Sequence, residues 1–129
     1  MINSLSTDLL IRLKNGYLAG RKTILAPNSK FNRSILDILK KYSFITAYKV
    51  KEDNDKLLVV SLTYRDYQPQ IHSVTIFSKP GRRYYEKTGS IPWGKTPESL
   101  IIVSTSQGLL SQKEAVSKKL VGELIAEIY

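Results

Sequence analysis

Ser78-Lys79-Pro80-Gly81 is the stretch that divides this chain. Serine, proline and glycine together interrupt the hydrophobic periodicity and supply a turn. The apolar residues on either side of them describe two different small bodies. The chain has 129 residues, enough for one domain or for two small lobes. The turn favours two. Residues 1–78 form an expected N-terminal α+β lobe, and residues 79–129 an expected C-terminal lobe that is mainly β with one short helix.

Upstream of the turn, Leu5, Leu9 and Leu13 recur every four residues, which predicts an amphipathic helix over 4–15. Asn3 or Ser4 can cap it, Asp8 suits the dipole of its first turns, and Asn15-Gly16 reads as its stop. A short strand over Arg21–Ala26 is ended by Pro27. Ser29 reads as the N-cap of a second helix, about 30–41, with Ile35, Ile38, Leu39 and Tyr42 on its apolar face. Phe44–Val50 and Lys56–Tyr64 predict a hairpin turned at Asp53-Asn54-Asp55. In its second strand Leu58, Val60, Leu62 and Tyr64 share one face and Leu57 and Val59 the other, the pattern of a central strand. Ile71–Phe77 adds one more. The N-terminal lobe is thus α-β-α-β-β-β in two layers, with both helices on one face of a small sheet.

Downstream come a short strand at 82–85, a loop over 86–98 holding Pro92, Trp93 and Pro97, and an apolar strand at 100–104. Ser111-x-x-Glu114 is a capping box for a helix near 112–118. After Gly122, Leu124, Ala126 and Ile128 alternate with Glu123, Ile125 and Glu127 in a last strand.

Charge narrows the partners. The net charge is +9, from 20 Lys and Arg against 11 Asp and Glu. Residues 1–42 carry a balance of +6, residues 43–78 are neutral, and residues 79–129 carry +3. The two flanks are therefore basic, and polyanions are the expected partners, nucleic acid ahead of anionic membrane. The absence of Cys excludes disulfides and thiolate chemistry and fits a reducing compartment. With one His and no Cys, no transition-metal site or cofactor is expected. No segment approaches the ~18 consecutive apolar residues of a membrane span, and the N-terminus lacks the pattern of a secretory signal. The expectation is a soluble intracellular protein without membrane partners.

Two motifs carry chemistry. Lys79-Pro80-Gly81-Arg82-Arg83-Tyr84-Tyr85 joins a tight turn to paired arginines and paired tyrosines. Guanidinium groups bind phosphate in a fork and tyrosine can stack on a base, although a basic turn followed by a half-buried strand has the same composition. Ser104-Thr105-Ser106-Gln107-Gly108 ends an apolar strand in hydroxyls and a glycine, a rim on which nothing is bulky. Ser-x-Ser-x-Gly approximates a hydrolase nucleophile elbow, but that site needs a His downstream and the only one, His72, lies upstream. Such a rim can press closely on a polar ligand. Glu123 is either a solvated strand residue or an acid that accepts from a base or a 2′-OH. Arg12, Lys14, Arg21, Lys22, Lys30 and Arg33 are either a solvated basic face or secondary phosphate contacts.

Taken in order, these motifs resemble one family. Asp8-Leu9-Leu10-x-Arg12-Leu13-x-Asn15-Gly16, Pro27-x-Ser29-Lys30, Phe44-Ile45, Ser78-Lys79-Pro80-Gly81-x-Arg83-x-Tyr85, Ser104-Thr105-Ser106-x-Gly108 and Gly122-Glu123 resemble bacterial-type ribosomal protein eight of the small subunit, nearly end to end. The resemblance implies a two-lobed α+β protein without catalytic activity, a structural constituent of the small ribosomal subunit. It implies binding to the central domain of small-subunit rRNA, support of that domain's assembly, and contact with neighbouring small-subunit proteins. It places the protein in the cytoplasm, in the ribosome, or in the stroma or matrix of an organelle, and monomeric off the ribosome. Residues expected to meet RNA are Ser104, Thr105, Ser106, Gln107, Gly108, Gly122 and Glu123; the turn residues Lys79, Pro80, Gly81, Arg82, Arg83 and Tyr85; and Arg12, Asn15 and Lys30. Three positions depart from the family's pattern. Gln107 stands where Lys is common, Val121 replaces the first Gly of a usual Gly-Gly-Glu, and Ser43 stands where Gly usually precedes Phe-Ile. The rivals are a small RNA-processing or RNA-modifying enzyme and a DNA-binding regulator.

Overall fold

The computed structural model describes residues 4–77, 84–86, 99–120 and 122–129, and within them an α+β architecture. It divides into two compact units between His72 and Ser73. The boundary expected at residue 78 falls on residues outside those described.

In the first unit, helix α1 (Ser4–Leu18) and helix α2 (Lys30–Lys41) accompany strands β1 (Thr23–Pro27), β2 (Ile45–Lys51) and β3 (Asn54–Leu62). The sheet is antiparallel in the order β1-β3-β2, so the strand with apolar residues on both faces is the central one. Leu58, Val60 and Leu62 of β3 are buried, as are Ile24 and Ala26 of β1. Helix α1 packs on β1 and helix α2 on β2, and Leu9, Leu10 and Leu13 of α1 and Ile35, Leu36 and Leu39 of α2 are buried. Burying side chains of this size stabilises the unit by roughly 1.5–3 kcal/mol each. The hairpin turns at Glu52-Asp53, with Lys51 opposite Asn54, one residue earlier than the expected Asp53-Asn54-Asp55 turn. An irregularity in register between Val50 and Lys51 accounts for the shift.

The N-cap of α2 is Ser29, whose hydroxyl accepts from the Asn32 amide at 3.1 Å. Helix α1 does not stop at Asn15-Gly16. It runs on to Leu18 because Gly16 remains helical, where a Cβ would lie 2.5 Å from Cγ2 of Ile24. The stop is Gly20, at φ +69, with its amide bonded to the Tyr17 carbonyl and the Arg21 amide to that of Gly16. That is a Schellman termination. The other two helices close in the same way, but on residues with a Cβ. Ser43 sits at φ 66 after α2, with Ser43 N–H bonded to the Lys40 carbonyl and Phe44 N–H to that of Leu39. Lys119 sits at φ 54 beyond the third helix. The glycine usual before Phe-Ile thus meets a backbone demand that Ser43 accepts with strain. Ser43→Gly is expected to raise stability by about 0.5–1 kcal/mol, read as a higher urea midpoint with an unchanged m-value.

A small ribbon, β4 (Tyr64–Arg65) with β5 (Gln68–Pro69), completes the first unit. The strand expected over Ile71–Phe77 is the short β6 (Val74–Ile76), and it pairs in the second unit. The first unit's sheet therefore has three strands, not the four of the α-β-α-β-β-β expectation.

The second unit is built on β10 (Gly122–Ile128), with β6, β7 (Tyr84–Glu86), β8 (Leu100–Thr105), β9 (Gly108–Ser111) and helix α3 (Gln112–Ser117). Strand β10 pairs with β8 along one edge and with β6 and β7 along the other, all antiparallel. A strand paired on both edges leaves little of itself open, and every residue from 122 to 128 is buried. The register with β8 shifts between Leu124 and Ala126, a bulge that interrupts the expected alternation. Ile101, Val103, Leu124 and Ala115 form the core under α3, with Phe77 and Val116 packed on it. The Ser111 hydroxyl caps α3 through the Glu114 amide at 3.2 Å, as the capping box predicts.

Candidate RNA-binding hairpin end

Strand β8 turns into β9 through Ser106-Gln107, and Thr105 pairs with Gly108 across the turn. Gly108 takes φ +104, and a Cβ there would meet nothing within 4 Å. Its glycine is required by conformation, not by space. The Thr105 hydroxyl donates to the Gly108 carbonyl at 2.8 Å and accepts from the Gln107 amide at 3.1 Å. Thr105 is therefore committed to holding the turn, a role that its inclusion among contact residues did not anticipate. Ser106, Gln107 and Gly108 are exposed, while Ser104 and Thr105 are half-buried.

Beside this turn the other predicted residues fall into register. Glu123 lies opposite Ser104 of β8 on one side and opposite Tyr85 of β7 on the other. Gly122 lies opposite Thr105 and Glu86. At Gly122 a Cβ would stand 2.5 Å from the Ser104 carbonyl oxygen and 2.5 Å from Val103 Cγ1. This is the close backbone approach of the Gly-Gly-Glu pattern, kept at the second glycine; Val121 lies outside the described residues. Glu123 is only 6% exposed, which excludes its reading as a solvated strand residue.

One supporting residue carries no motif. Gln112, 2% exposed, accepts from the Ile101 amide at 2.8 Å and donates to the Ser99 carbonyl at 2.9 Å. Its amide side chain continues the β8–β9 ladder past Ser111 and fixes where β8 begins. The only available signal was a polar residue one place after an N-cap, which most helices present to solvent.

The remaining predicted residues are not gathered here. Lys79, Pro80, Gly81, Arg82 and Arg83 lie outside the described residues. Arg12, Asn15 and Lys30 belong to the first unit. There Arg12 bonds Asp8 at 2.6 Å and the Leu25 carbonyl at 3.3 Å, so it ties α1 to β1. Arg12, Asn15 and Arg21 line an open cleft of about 420 Å³ together with Ile24 and Leu25. Lys30 is exposed at the start of α2. On the second unit Lys113, Lys118 and Lys119 are exposed cations that the motifs did not single out. Among the described residues no three His, Cys, Asp or Glu come together in a way that could hold a metal ion. No helix among them is long and apolar enough to cross a membrane.

Fold and site together define a small basic α+β protein in which one sheet end is a hydroxyl-tipped turn held by its own hydrogen bonds. A profile of the family described as Ribosomal protein S8 matches residues 5–129. The chain is 37% identical to the small ribosomal subunit protein uS8 of Zymomonas mobilis over 123 residues, 95% of this chain and 94% of that one. It is 33% identical over 129 residues, the whole of both chains, to the small ribosomal subunit protein uS8c of Oltmannsiellopsis viridis. To uS8 of Mycoplasmopsis synoviae it is 36% identical, over 95% of each chain. The chain belongs to the ribosomal protein S8 family, and with it to the structural, non-catalytic proteins of the ribosome. Its place is the ribosome, of the cytoplasm or of an organelle.

Proposed function

We propose that the chain binds the central domain of small-subunit rRNA through its second unit and supports the assembly of that domain alongside neighbouring small-subunit proteins. The observation that carries this reading is the hairpin end. Ser106 and Gly108 stand exposed on a turn locked from within by Thr105, beside a strand held close by Gly122. An A-form minor groove is wide, shallow and lined with 2′-OH groups, so a small rigid hydroxyl surface can approach it without clash. Rigidity matters because ordering a loose loop on binding would offset part of the affinity.

The division of labour follows from the chemistry. Ser104, Ser106 and Glu123 serve recognition of local RNA shape. Gln107, an amide where the family commonly has a lysine, removes one phosphate contact from the turn, and phosphate contacts fall instead to Lys79, Arg82 and Arg83, with Tyr85 and the Pro80-Gly81 turn beside them. Arg12, Asn15 and Lys30 are secondary contacts on the first unit.

Filter binding with a central-domain rRNA fragment and a random RNA of equal length tests the assignment. Ser106→Ala is expected to weaken the cognate complex by about 1 kcal/mol or more and leave the random one unchanged. Equal loss on both RNAs would remove the hairpin end from recognition.

A further inference from the structure

We infer that Tyr67, at the tip of the β4–β5 ribbon in the first unit, stacks on an unpaired RNA base, a further point of contact remote in sequence from the hairpin end. The inference rests on the RNA-binding reading above.

Tyr64 pairs with Pro69 and Arg65 with Gln68, so Asp66 and Tyr67 alone make the turn. Both take positive φ, 53 for Asp66 and 64 for Tyr67. That is the twist a two-residue hairpin needs, and asparagine, aspartate and glycine usually supply it. Aspartate tolerates the left-handed region; a bulky aromatic rarely enters it. Nothing inside the unit compensates for the tyrosine, since its side chain is 99% exposed.

The base of the ribbon, by contrast, is anchored. Tyr64 Oη donates to the Arg21 carbonyl at 2.7 Å, and its ring meets Tyr17 edge-on with centroids 5.3 Å apart. The Gln70 side chain donates to the Ser43 carbonyl at 3.3 Å. A fixed ribbon therefore projects a strained, wholly uncovered ring.

The surroundings of the ring choose the class of partner. Protein hot-spot tyrosines sit inside a rim of groups that exclude water. Here the adjoining Arg65, Asp66 and Gln68 are all polar and exposed. A flat ring between the Asp66 carboxylate and the Gln68 amide, with the Arg65 guanidinium one place further, matches a nucleobase instead, with the ring against its face, the carboxylate and amide near its edge and the guanidinium near its phosphate.

The test uses small subunits reconstituted with the wild-type chain, with Tyr67→Gly or with Tyr67→Phe, and nucleotide-resolution chemical probing of the rRNA. Glycine suits the turn, so Tyr67→Gly is expected to fold and to melt a few degrees higher than wild type as the free protein. In the subunit it is expected to expose one or two protected nucleotides, with reactivity rising about tenfold, while Tyr67→Phe keeps them protected. Unchanged reactivity with Tyr67→Gly, beside intact protections from the Ser106 turn, overturns the stacking inference alone. A crosslink from Tyr67 to a neighbouring protein overturns it as well. Absence of any protection at the Ser106 turn in wild-type subunits overturns the RNA-binding reading and this inference with it.

Discussion

Gly122→Ala is expected to destabilise the second unit by about 2–3 kcal/mol and to weaken cognate RNA by more than Ser106→Ala does. The added methyl would stand 2.5 Å from the Ser104 carbonyl oxygen and 3.1 Å from its carbon, well inside van der Waals separation. Clashes with the end of a flexible side chain can relax by rotation. Here the obstruction is backbone, flanked by the β-branched Val103, so β8 and β10 must move apart. Overpacking of this kind typically costs 1–3 kcal/mol. The displacement falls on the strand that ends in the Thr105–Gly108 turn. Ser104 and Ser106 would consequently leave their positions together, and recognition would suffer twice. Urea unfolding gives the stability and filter binding the affinity. An unshifted midpoint would show that the strands accommodate the methyl, and would refute the assignment of Gly122 as a spacer. Gly108→Ala makes a contrast, because open space surrounds that position and only its φ of +104 is at stake. Its cost should be nearer 1 kcal/mol.

The two glycines illustrate what the amino-acid sequence makes legible and what it does not. Both lie in motifs, and both were expected at the RNA-facing end. Their different reasons, space in one and conformation in the other, depend on what lies opposite and on φ. Local chemistry was readable where a residue acts on its own neighbours. Ser29 and Ser111 were visible as N-caps, and Leu58, Val60 and Leu62 as one face of a central strand. Non-local pairing was not readable. Three residues, Val74–Ile76, look the same whether they extend the first sheet or join β10 of the second. Helix ends were legible unevenly. The ends of α2 and α3 fall within a residue of the expected 41 and 118, although Ser43 and Lys119 hold the left-handed position that glycine marks in most sequences; the end of α1 was misplaced because Asn15-Gly16 has the composition of a stop and the left-handed residue is Gly20. At the site, the hydroxyl run was visible, but the inward commitment of Thr105 was not, because it depends on the turn's backbone geometry, which brings the Gly108 carbonyl and the Gln107 amide to its hydroxyl; the burial of Glu123 was not, because it depends on β7 and β8, brought to β10 from distant parts of the chain.

Gln112→Met, which preserves length and approximate volume, is expected to cost about 3 kcal/mol. The mutation removes the acceptor of the Ile101 amide and the donor to the Ser99 carbonyl, both in the interior: Ile101 is 0% exposed, Ser99 3% and Gln112 itself 2%. A hydrogen bond exchanged with water contributes only about 1 kcal/mol net, but a buried group deprived of its partner loses its full solvation, about 1–3 kcal/mol. Ile101 has no route to solvent between Val103, Ala115 and Leu124, with which it forms the core. The thioether of methionine cannot replace either bond, since sulfur is a weak acceptor and no donor. Because Gln112 sits directly after the N-cap of α3, the change also loosens helix from strand, and the start of β8 loses its anchor. The consequence for function should be graded. RNA affinity should fall less than stability, since the Ser106 turn lies at the other end of β8 and its own bonds are intact. Amide hydrogen exchange separates the two ends. Accelerated exchange at Ile101 with unchanged exchange at Gln107 is the expected pattern, and uniform acceleration along β8 would show that the strand loosens as one piece.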